Sequence, residues 1–91
     1  MARTIEKRLR IVLVECEFFF IPRGIIEINE IYRSVKEHFP KLCDDTFPCV
    51  HYESDFPQEE WKHIVRGVLQ TVIKRNNNIK FTGNRGYWEF Q

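Results

Sequence analysis

The sequence has no long hydrophobic segment. A membrane-spanning helix needs about 20 mostly apolar residues, whereas the longest uncharged apolar run in this chain is Phe18–Pro22. The first seventeen residues, MARTIEKRLRIVLVECE, mix both signs of charge with apolar residues, which does not fit a secretory signal. These absences predict a soluble protein with no membrane partner, located in the cytoplasm or, in a eukaryote, in the nucleus.

Cysteine is scarce and odd in number. The three cysteines are Cys16, Cys43 and Cys49, and without an extracellular signal they are expected to be reduced thiols. Cys43, Cys49 and His51 follow a C-x5-C-x-H spacing that matches no common zinc module. We therefore predict no metal site and no cofactor.

Signatures of catalysis are also missing. The chain has no phosphate loop, dinucleotide-binding glycine pattern or nucleophile elbow. Glu60-Trp61-Lys62 reproduces the E-x-K end of a metal-dependent nuclease signature, with Asp44, Asp45 or Asp55 available as the metal-binding aspartate. The tripeptide falls in a predicted helix, and so short a chain has no room for the sheet that holds two carboxylates around a metal. The prediction is a non-catalytic protein.

Acidic residues are absent from one long stretch. Residues 1–60 carry eight Lys or Arg against twelve Asp or Glu, whereas residues 61–91 carry six basic residues against one acid, Glu89. Compensation of a helix dipole explains Lys74 and Arg75. The remaining four cations are Lys62, Arg66, Lys80 and Arg85. Such charge asymmetry favours a surface that faces nucleic-acid phosphates.

What the sequence does contain suits one small domain covering residues 1–91. Hydrophobic residues make up 43% of the chain, which is enough for a modest core without disulfides or metals. The most regular pattern predicts a helix over about 57–75, preceded by Asp55 and with Pro57 in its first turn. Its apolar stripe consists of Trp61, Ile64, Val65, Val68, Leu69, Val72 and Ile73. Asn76, Asn77 and Asn78 end it.

A hairpin is predicted directly after this helix, over about 79–90. Its strands are Ile79–Thr82 and Tyr87–Phe90, and they are joined by Gly83-Asn84-Arg85-Gly86, whose glycines favour a turn. Of Tyr87 and Trp88, one ring should pack on the core and the other lie near the surface. A helix followed by a two-stranded hairpin is the central arrangement of a winged-helix domain, with the hairpin as the wing.

Two further helices are predicted before that pair. The first covers Arg3 to about Glu17, with Ile5, Leu9, Val12, Leu13 and Cys16 on one face. Phe18–Phe20 follow as expected core residues. Ile25–Ile28 favours a short strand, and Asn29 is the expected N-cap of a helix that runs to Pro40.

The segment 41–56 has no sustained period and is expected to be an extended connection with one helical turn near Lys41–Asp44. The complete prediction is an α+β winged helix-turn-helix with three helices and a small antiparallel sheet.

The face of the long helix opposite its apolar stripe offers candidate DNA-binding residues. Arg pairs with guanine, Gln pairs with adenine, and Lys favours phosphate. With Gln58 on the same face, the predicted site residues are Lys62, His63, Arg66, Gln70 and Lys74 on the helix and Lys80, Asn84 and Arg85 on the wing. Arg85 at the wing tip is placed to reach a minor groove or phosphates.

A family resemblance supports the same function. The pattern W-K-H-x-V-R-x-x-L-Q, the hairpin end G-Y-W-E-F and the earlier N-E-I-Y-R-S-V resemble winged-helix domains attached to restriction and modified-DNA-targeting endonucleases, including the Mrr-type N-terminal module. The resemblance covers roughly residues 25–90. It implies double-stranded DNA binding through Lys62, His63, Arg66, Gln70 and Arg85, while a separate domain cuts.

The implied roles are the targeting module of a restriction-type system or a small transcription regulator, and the implied partners are DNA, a second copy of the chain or a larger nuclease. The alternative is a protein-interaction winged helix that docks onto a partner subunit through Phe18–Phe20 or Tyr87-Trp88. It predicts an exposed aromatic patch.

Overall fold

The computed structural model describes residues 4–48 and 58–91 of the chain. Its elements are α1 (Thr4–Cys16), β1 (Gly24–Glu27), α2 (Ile28–His38), a 3-10 turn (Pro40–Leu42), α3 (Glu60–Arg75), β2 (Ile79–Phe81) and β3 (Tyr87–Phe90). Over these ranges the fold is α+β, with three α-helices and a three-stranded antiparallel sheet. None of the helices in the described ranges is long and apolar enough to cross a membrane.

The sheet places β3 in the centre, in the order β1-β3-β2. Trp88 on β3 lies opposite Ile26 on one side and Phe81 on the other. Phe90 is likewise paired with Ile79, and both are buried. Because alternate residues of a strand face the same side, this register turns one face of the sheet towards the helices. The hairpin is confirmed at its predicted position.

The core is centred on the packing of α1 against α3. Leu9 and Leu13 of α1 and Val65, Val68 and Leu69 of α3 have no exposed surface. Full burial of such side chains stabilises a fold by about 1.5–3 kcal/mol each. The apolar stripe predicted for the long helix is therefore confirmed as its packing face.

The aromatic run after α1 is only partly core. Glu17 and Phe18 adopt left-handed backbone conformations, with φ of +50° and +58°, and the chain turns sharply there. Phe18 is buried and Phe20 packs at the core edge, but 73% of Phe19 is exposed. The prediction of a core residue was wrong for Phe19, because a tight turn cannot direct three successive side chains to one side.

The N-cap of α2 is Glu27 and not Asn29. β1 ends at Glu27, and the Glu27 carboxylate accepts hydrogen bonds from the Asn29 backbone N–H and side-chain amide, both at 3.0 Å. The Ile28 N–H donates to the Gly86 carbonyl at 2.8 Å. Since the hairpin holds Ile28 in place, the helix begins earlier than the residue type of Asn29 suggests.

The long helix begins at Glu60, three residues later than predicted. Glu59 is extended and pairs with Pro48 in an isolated antiparallel bridge, and the Glu60 N–H donates to the Phe47 carbonyl at 2.9 Å. This pairing keeps Gln58 and Glu59 out of the helix. The predicted start signals, Asp55 and Pro57, lie outside the described residues, as do Cys49 and His51.

The described part of the long connection packs against α2 and α3. The predicted helical turn is a 3-10 turn over Pro40–Leu42. Asp45 forms an ion pair with Lys36 and accepts a hydrogen bond from the Trp61 indole N–H at 2.9 Å. Cys43 is a free thiol, and burial raises its pKa to about 11. These contacts attach residues 43–45 to the helices.

Candidate nucleic-acid interface

A cleft of about 610 Å³ lies between the start of α2, the exposed side of α3 and the β2–β3 hairpin. Its polar lining consists of Gln58, His63, Arg66, Gln70 and Arg85, together with Asn29 and Tyr32 of α2. Trp88 and Gly67 also line the cleft. Among the described residues, no carboxylate lines this cleft.

One side of α3 supplies most of the cleft. His63, Arg66, Gly67 and Gln70 follow the three- and four-residue spacing that brings side chains to one helix face. The opposite face is held inward by the buried stripe. Packing against α1 therefore determines which α3 residues face the cleft.

The hairpin turn positions Arg85 at the other side of the cleft. Gly83 and Gly86 both have φ of +89°, a region that disfavours side chains with a Cβ. The Tyr87 N–H donates to the Asn84 carbonyl at 3.1 Å and closes the turn. Because the Gly86 carbonyl also accepts from the start of α2, the neighbouring Arg85 is held next to that helix.

Arg66 is held in the cleft by neutral groups. Its guanidinium donates to the Gln58 side-chain oxygen at 2.8 Å and lies close enough to Tyr32 to influence the pKa of that hydroxyl. Burial raises the pKa of the Tyr32 hydroxyl, and the positive charge of Arg66 offsets part of that rise. Within residues 4–48 and 58–91, Arg66 forms no ion pair, so its charge is not neutralised by a carboxylate there.

Lys62 lies beside the cleft in a different environment. Its ammonium is 3.2 Å from the Glu59 carboxylate and lies over the rings of Tyr32 and Trp61, 5.4 and 5.7 Å from their centroids. The pKa of Glu59 is lowered by a hydrogen bond from its own backbone N–H and further by Lys62. The charge of Lys62 is thus paired with the carboxylate of Glu59, the residue just before the helix.

The structure divides the eight predicted site residues into two groups. His63, Arg66, Gln70 and Arg85 meet at the cleft, whereas the other four lie outside its lining. Of these, Lys74, Lys80 and Asn84 are exposed and Lys62 is half-buried. The exposed cations can only flank the cleft.

Sequence reasoning missed two side chains of α2 at the cleft, Asn29 and Tyr32. The residue type of Asn29 indicates a cap, and the spacing of Tyr32 indicates a buried stripe; Tyr32 is 5% exposed, but its hydroxyl reaches the cleft. A tyrosine within an apolar stripe is itself a signal, because a buried phenol requires a hydrogen-bond partner. Gln58, predicted on the helix face, reaches the cleft from the segment before the helix.

No group of three or more His, Cys, Asp or Glu side chains is arranged to hold a metal ion among the described residues. Comparison of the chain with protein families, curated proteins and solved structures gives no match. The geometry and charge of the cleft are therefore the features that bear on function.

Proposed function

We propose that this chain is a non-catalytic winged-helix domain that binds double-stranded DNA. In this assignment α3 enters the major groove and the β2–β3 hairpin is the wing that contacts the flanking backbone or minor groove. The element order and the sheet order β1-β3-β2 support the assignment. The same surface would serve a targeting module of a larger nuclease or a small transcription regulator.

The observation that carries the proposal is the cleft with two arginines and no described carboxylate in its lining. Arg66 and Arg85 approach it from the helix and from the hairpin, and neither forms an ion pair among the residues placed by the structure. Such cations bind nucleic-acid phosphates and release the counterions condensed on them, which increases the affinity of the protein for DNA. Gln58 and Gln70 add groups that can both donate and accept, as base edges require.

The Tyr32–Arg66–Gln58 contacts give Arg66 a defined orientation. A guanidinium that reads guanine must present two N–H groups in the plane of the base, and each such bidentate pair discriminates by about 1–3 kcal/mol. A guanidinium held by a neutral acceptor loses less rotamer freedom on binding than a free one. We therefore assign base contact to Arg66 and phosphate contact to Arg85.

Titration of a mixed-sequence duplex against salt tests this assignment. Arg85→Gln should weaken binding to all duplexes and reduce the slope of log K against log salt by about 0.9, the loss of one phosphate contact. Arg66→Gln should also weaken binding, but it should mainly reduce the preference among duplexes recovered by selection from a random pool.

Arg23→Gln is the matched control. Arg23 is exposed and lines a different hollow, near Glu17 and Asn78. It changes the net charge by the same amount without altering the cleft. If wild type fails to bind any duplex, or if all three variants weaken binding equally, the assignment of this cleft to DNA is wrong.

A further inference from the structure

A second concave surface lies at the other end of α2. It is a groove of about 640 Å³ between the start of α1, the end of α2 and the 3-10 turn. Its apolar wall is formed by Ile5, Phe39, Pro40 and Leu42. Asn29 lines the DNA-facing cleft and His38 lines this groove, so the two sites are separated by about 14 Å along the α2 axis.

The rim of the groove is cationic. Arg8 of α1 and Lys41 of the 3-10 turn both line it and are exposed, and His38 lies beside them. Across residues 4–48 and 58–91, neither Arg8 nor Lys41 forms an ion pair, and no acid is part of the groove lining. An apolar surface with unneutralised cations on both sides is complementary to an apolar segment that carries carboxylates.

An exposed aromatic side chain lies close to this groove. The Phe19 ring is 6.0 Å from the ring of His38, which is itself stacked on Phe20 at 4.3 Å. Phe19 is the most exposed large hydrophobic residue in the described ranges. Exposed aromatics next to an apolar groove are typical of protein-interaction surfaces.

We propose that this groove docks an acidic amphipathic segment of a protein partner. The partner's apolar side chains enter between Ile5, Phe39 and Leu42, and its carboxylates pair with Arg8 and Lys41. A peptide fits better than a membrane, because the groove is concave and takes separate side chains. It also fits better than DNA, because the apolar wall offers no partner to phosphates or base edges.

The proposal is independent of DNA binding and extends beyond it. Since the two sites lie at opposite ends of α2, a peptide and a duplex should bind at the same time. The domain would then connect DNA to a second protein. The groove is a different surface from the docking surfaces predicted from the sequence, Phe18–Phe20 and Tyr87-Trp88. Of the first of these, Phe19 is largely exposed and lies beside the groove without lining it.

Selection from a displayed library of random peptides tests the groove with no assumption about the partner's identity. The full chain is the bait, and Arg8→Glu/Lys41→Glu is the counter-selection bait. Because both residues are exposed, this double variant should keep its melting temperature. Enriched peptides should be acidic, with apolar residues three or four positions apart, and should lose about tenfold or more in affinity for the double variant.

Arg23→Glu/Lys80→Glu is the matched control, with the same charge change at exposed positions outside the groove. It should bind the enriched peptides as well as wild type. In nuclear magnetic resonance spectra, the peptide should shift the signals of Phe39 and Leu42. A failure to enrich any peptide, enrichment of neutral or basic peptides, or equal binding by the Arg8/Lys41 variant would overturn the proposal.

Two further measurements distinguish the other occupants. Wild type should not sediment with vesicles of phosphatidylserine and phosphatidylcholine; sedimentation that the Arg8/Lys41 variant loses would identify a lipid surface instead. Duplex affinity should be the same in wild type and in that variant. If the variant loses duplex binding as Arg85→Gln does, the groove belongs to the nucleic-acid surface and the peptide proposal is wrong.

Discussion

Replacement of Gly67 by alanine should stabilise this protein. Gly67 lies in the middle of α3, seven residues after Glu60 and eight before Arg75, where glycine costs about 1 kcal/mol relative to alanine. Apart from the helix backbone, a Cβ at this position would have one described neighbour within 4 Å, Nη1 of Arg10 at 3.9 Å. That is an ordinary van der Waals contact with a flexible side chain, so no steric cost offsets the gain.

The expected gain is therefore about 1 kcal/mol in the free energy of unfolding, or about 4–8 °C in Tm for a domain of this size. Thermal unfolding followed by circular dichroism, with urea unfolding as a second probe, measures it. Gly83→Ala is the matched control. A Cβ at Gly83 would have no neighbour within 4 Å, but φ there is +89°, so a Cβ is strained and stability should fall by about 1–2 kcal/mol.

A Gly67→Ala variant that is neutral or less stable, with its helix content unchanged, would refute the reasoning from helix propensity. The same position also probes the cleft. Gly67 forms part of its wall, so Gly67→Leu should keep the fold while its side chain occupies space that the proposed duplex needs. A stable Gly67→Leu variant with unchanged duplex affinity would place the contact elsewhere on α3.

Two other predictions concern the attachment of the connecting segment. Asp45→Ala should lower the free energy of unfolding by about 1–3 kcal/mol, because it leaves the indole N–H of Trp61, a residue only 2% exposed, without its acceptor. Lys36→Ala removes only a half-exposed ion pair and should cost less than about 1 kcal/mol in urea unfolding; equal losses would contradict this assignment. In a variant with Cys16 and Cys49 replaced by serine, Cys43 should react with iodoacetamide at pH 8 about a hundredfold more slowly than a thiol of ordinary pKa 9.0, because its pKa is about 11. The rate should rise with pH until about 11, and a plateau near pH 9 would be inconsistent with burial.

Periodicity predicted the parts of the fold that depend on local pattern. The stripe on α3 and the two strands around Gly83 and Gly86 were placed correctly, because a buried helix face and a hairpin turn each leave a short-range signal. The first residues of α2 and α3 were not placed correctly, because distant residues determine where these helices begin. Gly86 holds Ile28 at the start of α2, and Phe47 holds the start of α3.

The candidate site was predicted in part for the same reason. His63, Arg66 and Gln70 are spaced three and four residues apart on one helix, so the sequence alone predicted that they share a face. The sequence did not predict that Lys62 lies outside the cleft, because its position depends on the ion pair with Glu59, which is extended before the helix. The contribution of Tyr32 depends on the packing of α2 against α3, where its ring meets Trp61 edge to face at 5.7 Å.

Residues 61–88 contain no acid in the sequence, but in the folded protein an acid from outside this stretch lies beside it. Glu59, which lies outside the stretch, forms an ion pair with Lys62 of α3. Arg66, one turn further along the same helix, instead donates to the neutral side chain of Gln58. Among the described residues, the two arginines that line the cleft, Arg66 and Arg85, form no ion pair. A phosphate that bound Lys62 would compete with the Glu59 carboxylate, whereas one that bound Arg66 or Arg85 would displace no ion-pair partner among the described residues, and this difference supports the proposal that the cleft faces DNA.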